Sequence, residues 1–259
     1  MSVIKKFRIT KIKNVKPLIS LEKISLSFKK NHLILDNISL NISKGQVIGL
    51  LGPNGAGKSS LMNLITGVFK PNDGKIFING EKITKYPIFT RTRKFKISLV
   101  PQIGGFFADL TAEDNLNSIG EILIKDNNKR KLKIEELISK FELDAVRKVE
   151  AKFLSGGMKR RLVISMSLLG DPEILLMDEP LAALDPQTIQ MLQTIIIKLQ
   201  SDFNLTILIT DHQARDLLVV CDRAVILSNS KIVAEGTPNE LMRNENATKY
   251  YFGDNFKFK

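Results

Sequence analysis

The chain carries one cysteine and two histidines, no internal repeat, and no apolar run approaching membrane-spanning length. The lone thiol, Cys221, follows the apolar residues 217–220 and has no disulfide partner. That agrees with a reducing compartment and with a buried, inert side chain. Crossing a bilayer takes about 18–20 consecutive apolar residues, which are missing. Residues 1–20 lack the compact apolar core and small-residue cleavage site of a secretory signal, so the expected location is cytoplasmic. Also missing is an interleaving of aromatic with basic residues, which argues against a nucleic-acid partner.

What the chain does have is positive charge, a net +12. Lys5, Lys6, Arg8, Lys11, Lys13 and Lys16, with no acidic residue among the first nineteen positions, supply half of that excess. This suits a solvated basic extension that touches anionic headgroups better than a nucleic-acid groove. With 43% hydrophobic and 25% charged residues the rest is ordinary globular composition, long enough to bury a substantial core.

Residues 21–28 and 34–42 alternate apolar with polar side chains and predict antiparallel strands. Pro71, Asn72, Asp73 and Gly74 predict a turn, followed by a short strand at 75–78 and a second turn at Asn79 and Gly80. A strand at 97–100 ends at Pro101 and Gln102. From about 110 to 169 the pattern turns helical. Thr111 caps one helix, apolar spacing marks another at 134–141, and a third runs from Ser155 to Leu168. Residues 173–178 and 205–210 are apolar runs typical of a buried parallel sheet, with a helix at 186–201 between them. A hairpin at 224–228 and 231–234 and a short helix at 238–244 follow. The organisation is an α/β core with a helical insertion between Gln102 and Asp178.

The octet GPNGAGKS at 52–59 matches G-x-x-x-x-G-K-[ST] and lies between an apolar strand at 46–51 and a helix at 60–68. Gly52, Gly55 and Gly57 let the backbone wrap an anion and aim N–H groups at phosphate oxygens. The helix N-terminus adds positive potential at the same place. Lys58 can reach the β- and γ-phosphates, and the Ser59 hydroxyl can serve Mg²⁺. The apolar run ILLM at 174–177 delivers Asp178 and Glu179 at a strand's C-terminal end, where α/β sheets bind ligands. Asp178 is then the candidate for holding Mg²⁺ through water, and Glu179 for polarising the attacking water. Ser155, Gly156 and Gly157 at the start of a helix form a second anion grip, which one chain cannot easily bring to its own phosphate loop. His212 stands at a third strand end as a donor to the γ-phosphate, while His32 sits in a polar turn. Gln102 can donate or accept near Mg²⁺ and the attacking water.

In order, Phe28, GPNGAGKSS, Gln102, LSGGM, ILLMDEP, LAALD and TDH resemble the nucleotide-binding subunits of ATP-binding cassette transporters, over roughly residues 20–245. The resemblance implies a P-loop NTPase (RecA-like) α/β core with an antiparallel β subdomain. It also implies a helical subdomain inserted at about 103–169, a basic extension at 1–19 and a tail at 246–259. It implies that Phe28 stacks on adenine and that Gly52, Pro53, Asn54, Gly55, Ala56, Gly57, Lys58, Ser59 and Ser60 hold one ATP. Ser155, Gly156 and Gly157 of a second copy would then close over that ATP, with Asp185 near the partner's phosphate loop. The expected assembly is a head-to-tail homodimer bound to integral membrane permease subunits, so contact with the membrane is indirect. Met158 stands where the family usually has Gln or Glu, and Ala183 where it often has Ser, which puts tuning in doubt but not hydrolysis.

Within the family, LITDHQARDLL, VCDRAVILSNSKIVAEGTPNEL and YYFGDNFKF are similar to the ATPases of lipopolysaccharide export. Branched-chain amino acid importer ATPases are similar at the C-terminus and remain an alternative. A soluble, non-transport ABC regulatory protein is the alternative of a different class, and Glu179, His212 and the single cassette argue against it. Phe106 and Phe107, soon after Gln102, fall where such ATPases receive a helix of the membrane partner, and two core phenylalanines are the alternative reading of the pair.

Overall fold

The structure, a computed structural model, describes residues 16–29, 32–253 and 256. The basic extension expected at 1–19 therefore lies largely outside the described residues.

Two sheets organise the chain. The antiparallel one comprises β1 (Ile19–Lys29), β2 (His32–Ile42), β4 (Asp73–Ile78) and the short β5 (Glu81–Lys82), in the order β2-β1-β4-β5. The other has six strands in the order β10-β9-β3-β8-β7-β6. Its members are β3 (Val47–Leu51), β6 (Ile97–Val100), β7 (Ile174–Asp178), β8 (Thr206–Thr210), β9 (Arg223–Ser228) and β10 (Lys231–Gly236). β3, β6, β7, β8 and β9 run parallel, and β10 closes one edge antiparallel to β9.

The central strands read as continuous apolar runs because both faces are covered. Val47 and Leu51 of β3, Leu175 and Met177 of β7, and Ile207 and Ile209 of β8 enter a core shared with the helices. Their neighbours Ile48, Leu50, Ile174, Leu176 and Leu208 point the other way, into a core shared with the antiparallel sheet. The period-two alternation of Cβ atoms thus splits one sheet between two cores.

The helices are α1 (Lys58–Thr66), α2 (Ile88–Phe95), α3 (Ala112–Leu123), α4 (Asn127–Lys140), α5 (Gly156–Ser167), α6 (Pro186–Phe203), α7 (Ala214–Leu218) and α8 (Pro238–Leu241). Their starts follow the expected chemistry. Thr111 accepts the Asp114 N–H, Ser155 the Met158 N–H, and Asp185 the Gln187 and Thr188 N–H groups. α4 begins seven residues before the apolar stretch that announced it, capped by Asp126.

α2 has no counterpart among the sequence expectations. Its two buried residues are Phe95 and Arg91, four apart on one face, so the inward face reads as polar. Arg91 is buried because its guanidinium donates to Leu64 O (2.5 Å), Ile65 O (2.9 Å), Tyr86 O (2.9 Å) and Thr84 O (3.1 Å). Leu64 and Ile65 end α1, so a cation there satisfies carbonyls that lack helical partners and opposes the negative end of the dipole.

Candidate functional site

The loop between β3 and α1 owes its shape to glycine at two tight points. Gly52 has φ +147°, and a Cβ there would lie 2.2 Å from Leu227 O. Gly57 has φ +98° and caps α1, where a Cβ would meet Ile34 O at 2.9 Å. Any side chain at either position would displace backbone. Pro53, Asn54 and Gly55 are exposed at the loop's tip, Ala56 and Lys58 are buried, and Ser59 and Ser60 open the first turn of α1.

Lys58 Nζ donates to Gly52 O (2.8 Å) and Pro53 O (3.1 Å), which holds the ammonium inside the loop's curve. Burial lowers its pKa, against the opposing pull of Glu179, Asp178 and Asp211. A desolvated cation held beside the loop's amide donors suits a polyphosphate.

The parallel sheet gathers the other groups at one end of its strands. Ser59 Oγ donates to Asp178 Oδ1 at 3.1 Å, joining the start of α1 to the end of β7. Thr210, fully buried at the end of β8, donates to the same Oδ1 at 2.6 Å and accepts the Glu179 N–H at 3.0 Å. Gln102 Nε2 donates to Glu179 Oε2 at 2.7 Å, and His212 Nδ1 lies 3.5 Å from that oxygen. Asp211, fully buried, accepts the Leu181 and Gln213 N–H groups and pins the two strand ends together. Lys58, Ser59, Gln102, Asp178, Glu179 and His212 thus converge from four segments.

The neighbouring Ser59 hydroxyl and Asp178 carboxylate present hard oxygen donors, which fit Mg²⁺. Among the described residues no cluster of three or more His, Cys, Asp or Glu makes a metal cage. This donor set fits an ion that takes further ligands from water and substrate phosphate.

Ser155 and Gly156 are exposed. A Cβ on Gly156 would touch Leu184, and one on Gly157 would meet Thr188 Cγ2 at 2.8 Å. Ser155–Gly157 and Asp185 therefore share one surface. Among the described residues no hydrogen bond joins Ser155–Gly157 to residues 52–59. Phe28 is 57% exposed and meets Phe69 edge-on at 5.0 Å between ring centroids. The two phenylalanines after Gln102 differ. Phe106 packs against the core beneath, whereas Phe107 is half-exposed.

Sequence reasoning missed three site residues. Thr210 and Asp211 were visible as the pair before His212, but their partners lie about thirty residues away on the chain. Arg160 carried no signal beyond its place in a basic helix. It donates to Pro101 O (2.9 Å), Gln102 O (3.1 Å) and Glu179 O (3.4 Å), tying α5 to two of the convergent segments.

A family model described as ABC transporter matches residues 35–182. The lipopolysaccharide export system ATP-binding protein LptB of Haemophilus influenzae is 37% identical over 242 residues, covering 93% of this chain and 99% of that one. The LptB of Escherichia coli is 35% identical over 231 residues, covering 88% and 94%. Among solved structures, a nucleotide-free ATP-binding cassette from an ABC transporter matches with a TM-score of 0.83 and 25% identity, over 92% of this chain and 100% of that one. A dimeric cassette in a post-hydrolysis state bound to ADP and Pi matches at 0.75 and 26%, over 85% and 98%. Cassettes of this kind form dimers and pair with membrane permeases, and no described helix here is long and apolar enough to cross a membrane. The phosphate-gripping loop, the carboxylates at the strand ends and these likenesses together place the chain in the ABC transporter family, as an ATP-binding and ATP-hydrolysing subunit.

Proposed function

We propose that two copies of this chain, head to tail, share two ATP molecules and drive a membrane permease that extracts lipopolysaccharide from the inner membrane. The observation that carries the shared site is the separation of the two phosphate grips. Residues 52–59 face the convergent carboxylates, while Ser155–Gly157 stand with Asp185 on another surface. A second copy brings the two grips together over one nucleotide.

In this reading Phe28 stacks on adenine. Gly52 to Ser60 bind the phosphates through amides, the Lys58 ammonium and hydroxyls. Ser59, Gln102 and Asp178 would hold Mg²⁺, which would supply charge neutralisation on the phosphate oxygens. Glu179 accepts the proton of the attacking water, and its contacts with Gln102 and His212 aim the carboxylate. His212 donates toward the γ-phosphate. The second copy's Ser155, Gly156 and Gly157 close over the same phosphate, with Asp185 beside the facing loop. Closure on ATP and opening after hydrolysis move the helical segment between Gln102 and Asp178 against the permease. Of the two phenylalanines first considered there, Phe107 is the better anchor, because Phe106 turns into the core.

The cargo rests on the near full-length likeness to the two LptB proteins. Depletion in the native cell tests it, with lipopolysaccharide followed by membrane fractionation. Accumulation in the inner membrane is expected. Normal distribution together with lost branched-chain amino acid uptake would assign the chain to an importer instead.

A further inference from the structure

Asn115 is a fully buried polar residue near the start of α3, with no part in binding nucleotide. Its side chain treats Phe107 as a neighbouring strand would. Oδ1 accepts the Phe107 N–H at 2.7 Å, and Nδ2 donates to Phe107 O at 2.9 Å. Nδ2 also donates to Thr111 O (2.9 Å) and Leu110 O (3.2 Å). One amide thus holds both backbone groups of the residue that presents the exposed ring, and it leaves little hydrogen-bonding capacity unused.

The loop so held is zipped to the segment that leads into Ser155. Lys152 N donates to Ala108 O, Ala151 N to Leu110 O, Ala112 N to Val149 O and Glu113 N to Arg147 O, all between 2.9 and 3.0 Å. Arg147 and Lys148 return to the Glu113 carboxylate, and Lys159 of α5 donates to Lys152 O. An unbroken hydrogen-bonded piece therefore runs from Phe107 to the N-terminus of α5.

We propose that Asn115 is a positioning residue that makes Phe107 and Ser155 move as one body, transmitting permease contact to the partner-facing phosphate grip. The inference rests on the reading of Phe107 as the permease anchor. Without the clamp, the Phe107 backbone shifts independently of residues 147–155, and motion of the permease is lost before it reaches Ser155.

The test uses the full transporter purified with its own permease, and compares Asn115→Ala, Phe107→Ala and the double variant. Asn115→Ala should lower permease-stimulated ATP turnover by roughly 2- to 30-fold, the range of coupling effects transmitted through packed networks. Basal turnover and KM for ATP of the isolated chain should stay within about twofold. The double variant should be no worse than Phe107→Ala, because both changes break one path. Hydrogen exchange in the isolated chain guards against misfolding: the peptide around residue 107 should lose protection while β7 and β8 keep theirs. Full stimulation in Asn115→Ala, additive losses in the double variant, or loss of protection across the sheet would each overturn the clamp. Should Phe107→Ala itself retain stimulation and capture, the anchor reading fails instead.

Discussion

Thr210 holds the Asp178 carboxylate and the Glu179 backbone amide at the end of β7, and Thr210→Val isolates that dependence. Valine keeps the β-branched shape that suits a buried strand position. What is removed is one hydroxyl, which donates to Asp178 Oδ1 at 2.6 Å and accepts the Glu179 N–H at 3.0 Å. The Glu179 amide keeps a second partner, Thr210 O at 3.0 Å, so it is not orphaned. Asp178 keeps Ser59 and, being only half-buried, can exchange the lost donor for water. A hydrogen bond to a charged group contributes about 1.5–3 kcal/mol, and the water exchange puts this loss near the low end. At roughly 2–4 °C per kcal/mol for a chain of this size, the melting temperature should fall by about 3–6 °C. Turnover should suffer more, by roughly 10- to 100-fold, as when the outer partner of a working carboxylate is deleted. Steady-state phosphate release and thermal melting of Thr210→Val and Thr210→Ser measure both effects. The serine variant restores the hydroxyl without the methyl group and should recover most activity. A valine variant turning over within twofold of the parent, or a serine variant as slow as valine, refutes the argument.

Three other perturbations reach separate parts of the molecule. ATP at about 100 times its Kd should add ~2.7 kcal/mol to the parent's stability, raising its melting point by roughly 5–10 °C. Lys58→Ala should abolish that rise, and a retained rise would place the phosphate partner elsewhere. Glu179→Gln keeps the shape of the group facing Gln102 but cannot accept the proton, so it should bind ATP, lose at least ~100-fold in turnover and collect as dimer by light scattering. Near-normal turnover in that variant would mean another base. Glu113 is held well below the ordinary carboxylate range, at about 2, by hydrogen bonds from Arg147 and Lys148. Because its folded pKa is depressed, its stabilisation is present above the unfolded value near 4.5 and disappears as pH falls toward 2. The melting gap between the parent and Glu113→Gln should therefore narrow as pH drops from 6 to 3, and a constant gap would deny the ion pairs that role.

The parts of this molecule legible in its sequence are those whose cause lies within a few consecutive residues. GPNGAGKS contains its own glycine turns, its lysine and its helix start, and Ser155 and Asp185 cap the helices that follow them. The strands β7 and β8 announce themselves because both faces are buried. What stayed hidden depends on residues far apart along the chain. Arg91 reads as a surface cation until the four carbonyls around it are assembled from two segments. Arg160 gains its meaning from Pro101 and Gln102, nearly sixty residues earlier. The two phenylalanines at 106 and 107 look equivalent in sequence, and only packing turns one inward and the other outward. Asn115 is the extreme case, since nothing in TAEDNL distinguishes a saturated internal amide from a solvated helix residue.

Glu179 shows how these long-range contacts bear on the chemistry. Its φ is +46°, a left-handed conformation disfavoured for a residue with a Cβ by roughly 1 kcal/mol or more. Such a conformation persists where its surroundings over-determine it. Thr210 holds its amide from β8, Gln102 holds its carboxylate from the end of β6, and Arg160 holds its carbonyl from α5. The aim of the proposed base is thus set jointly by the parallel sheet and by a helix of the inserted segment. A rotation of α5 would act on Glu179 through the Arg160 contact, without any new contact to nucleotide. In the proposed dimer the helix that begins at Ser155 reaches hydrolysis by two routes. Its N-terminus would face the second copy's phosphate, and its Arg160 holds the backbone carbonyl of Glu179 in its own chain. If both routes operate, closure of the dimer and alignment of the base are one event, and ATP turns over only when the helical segment is in place.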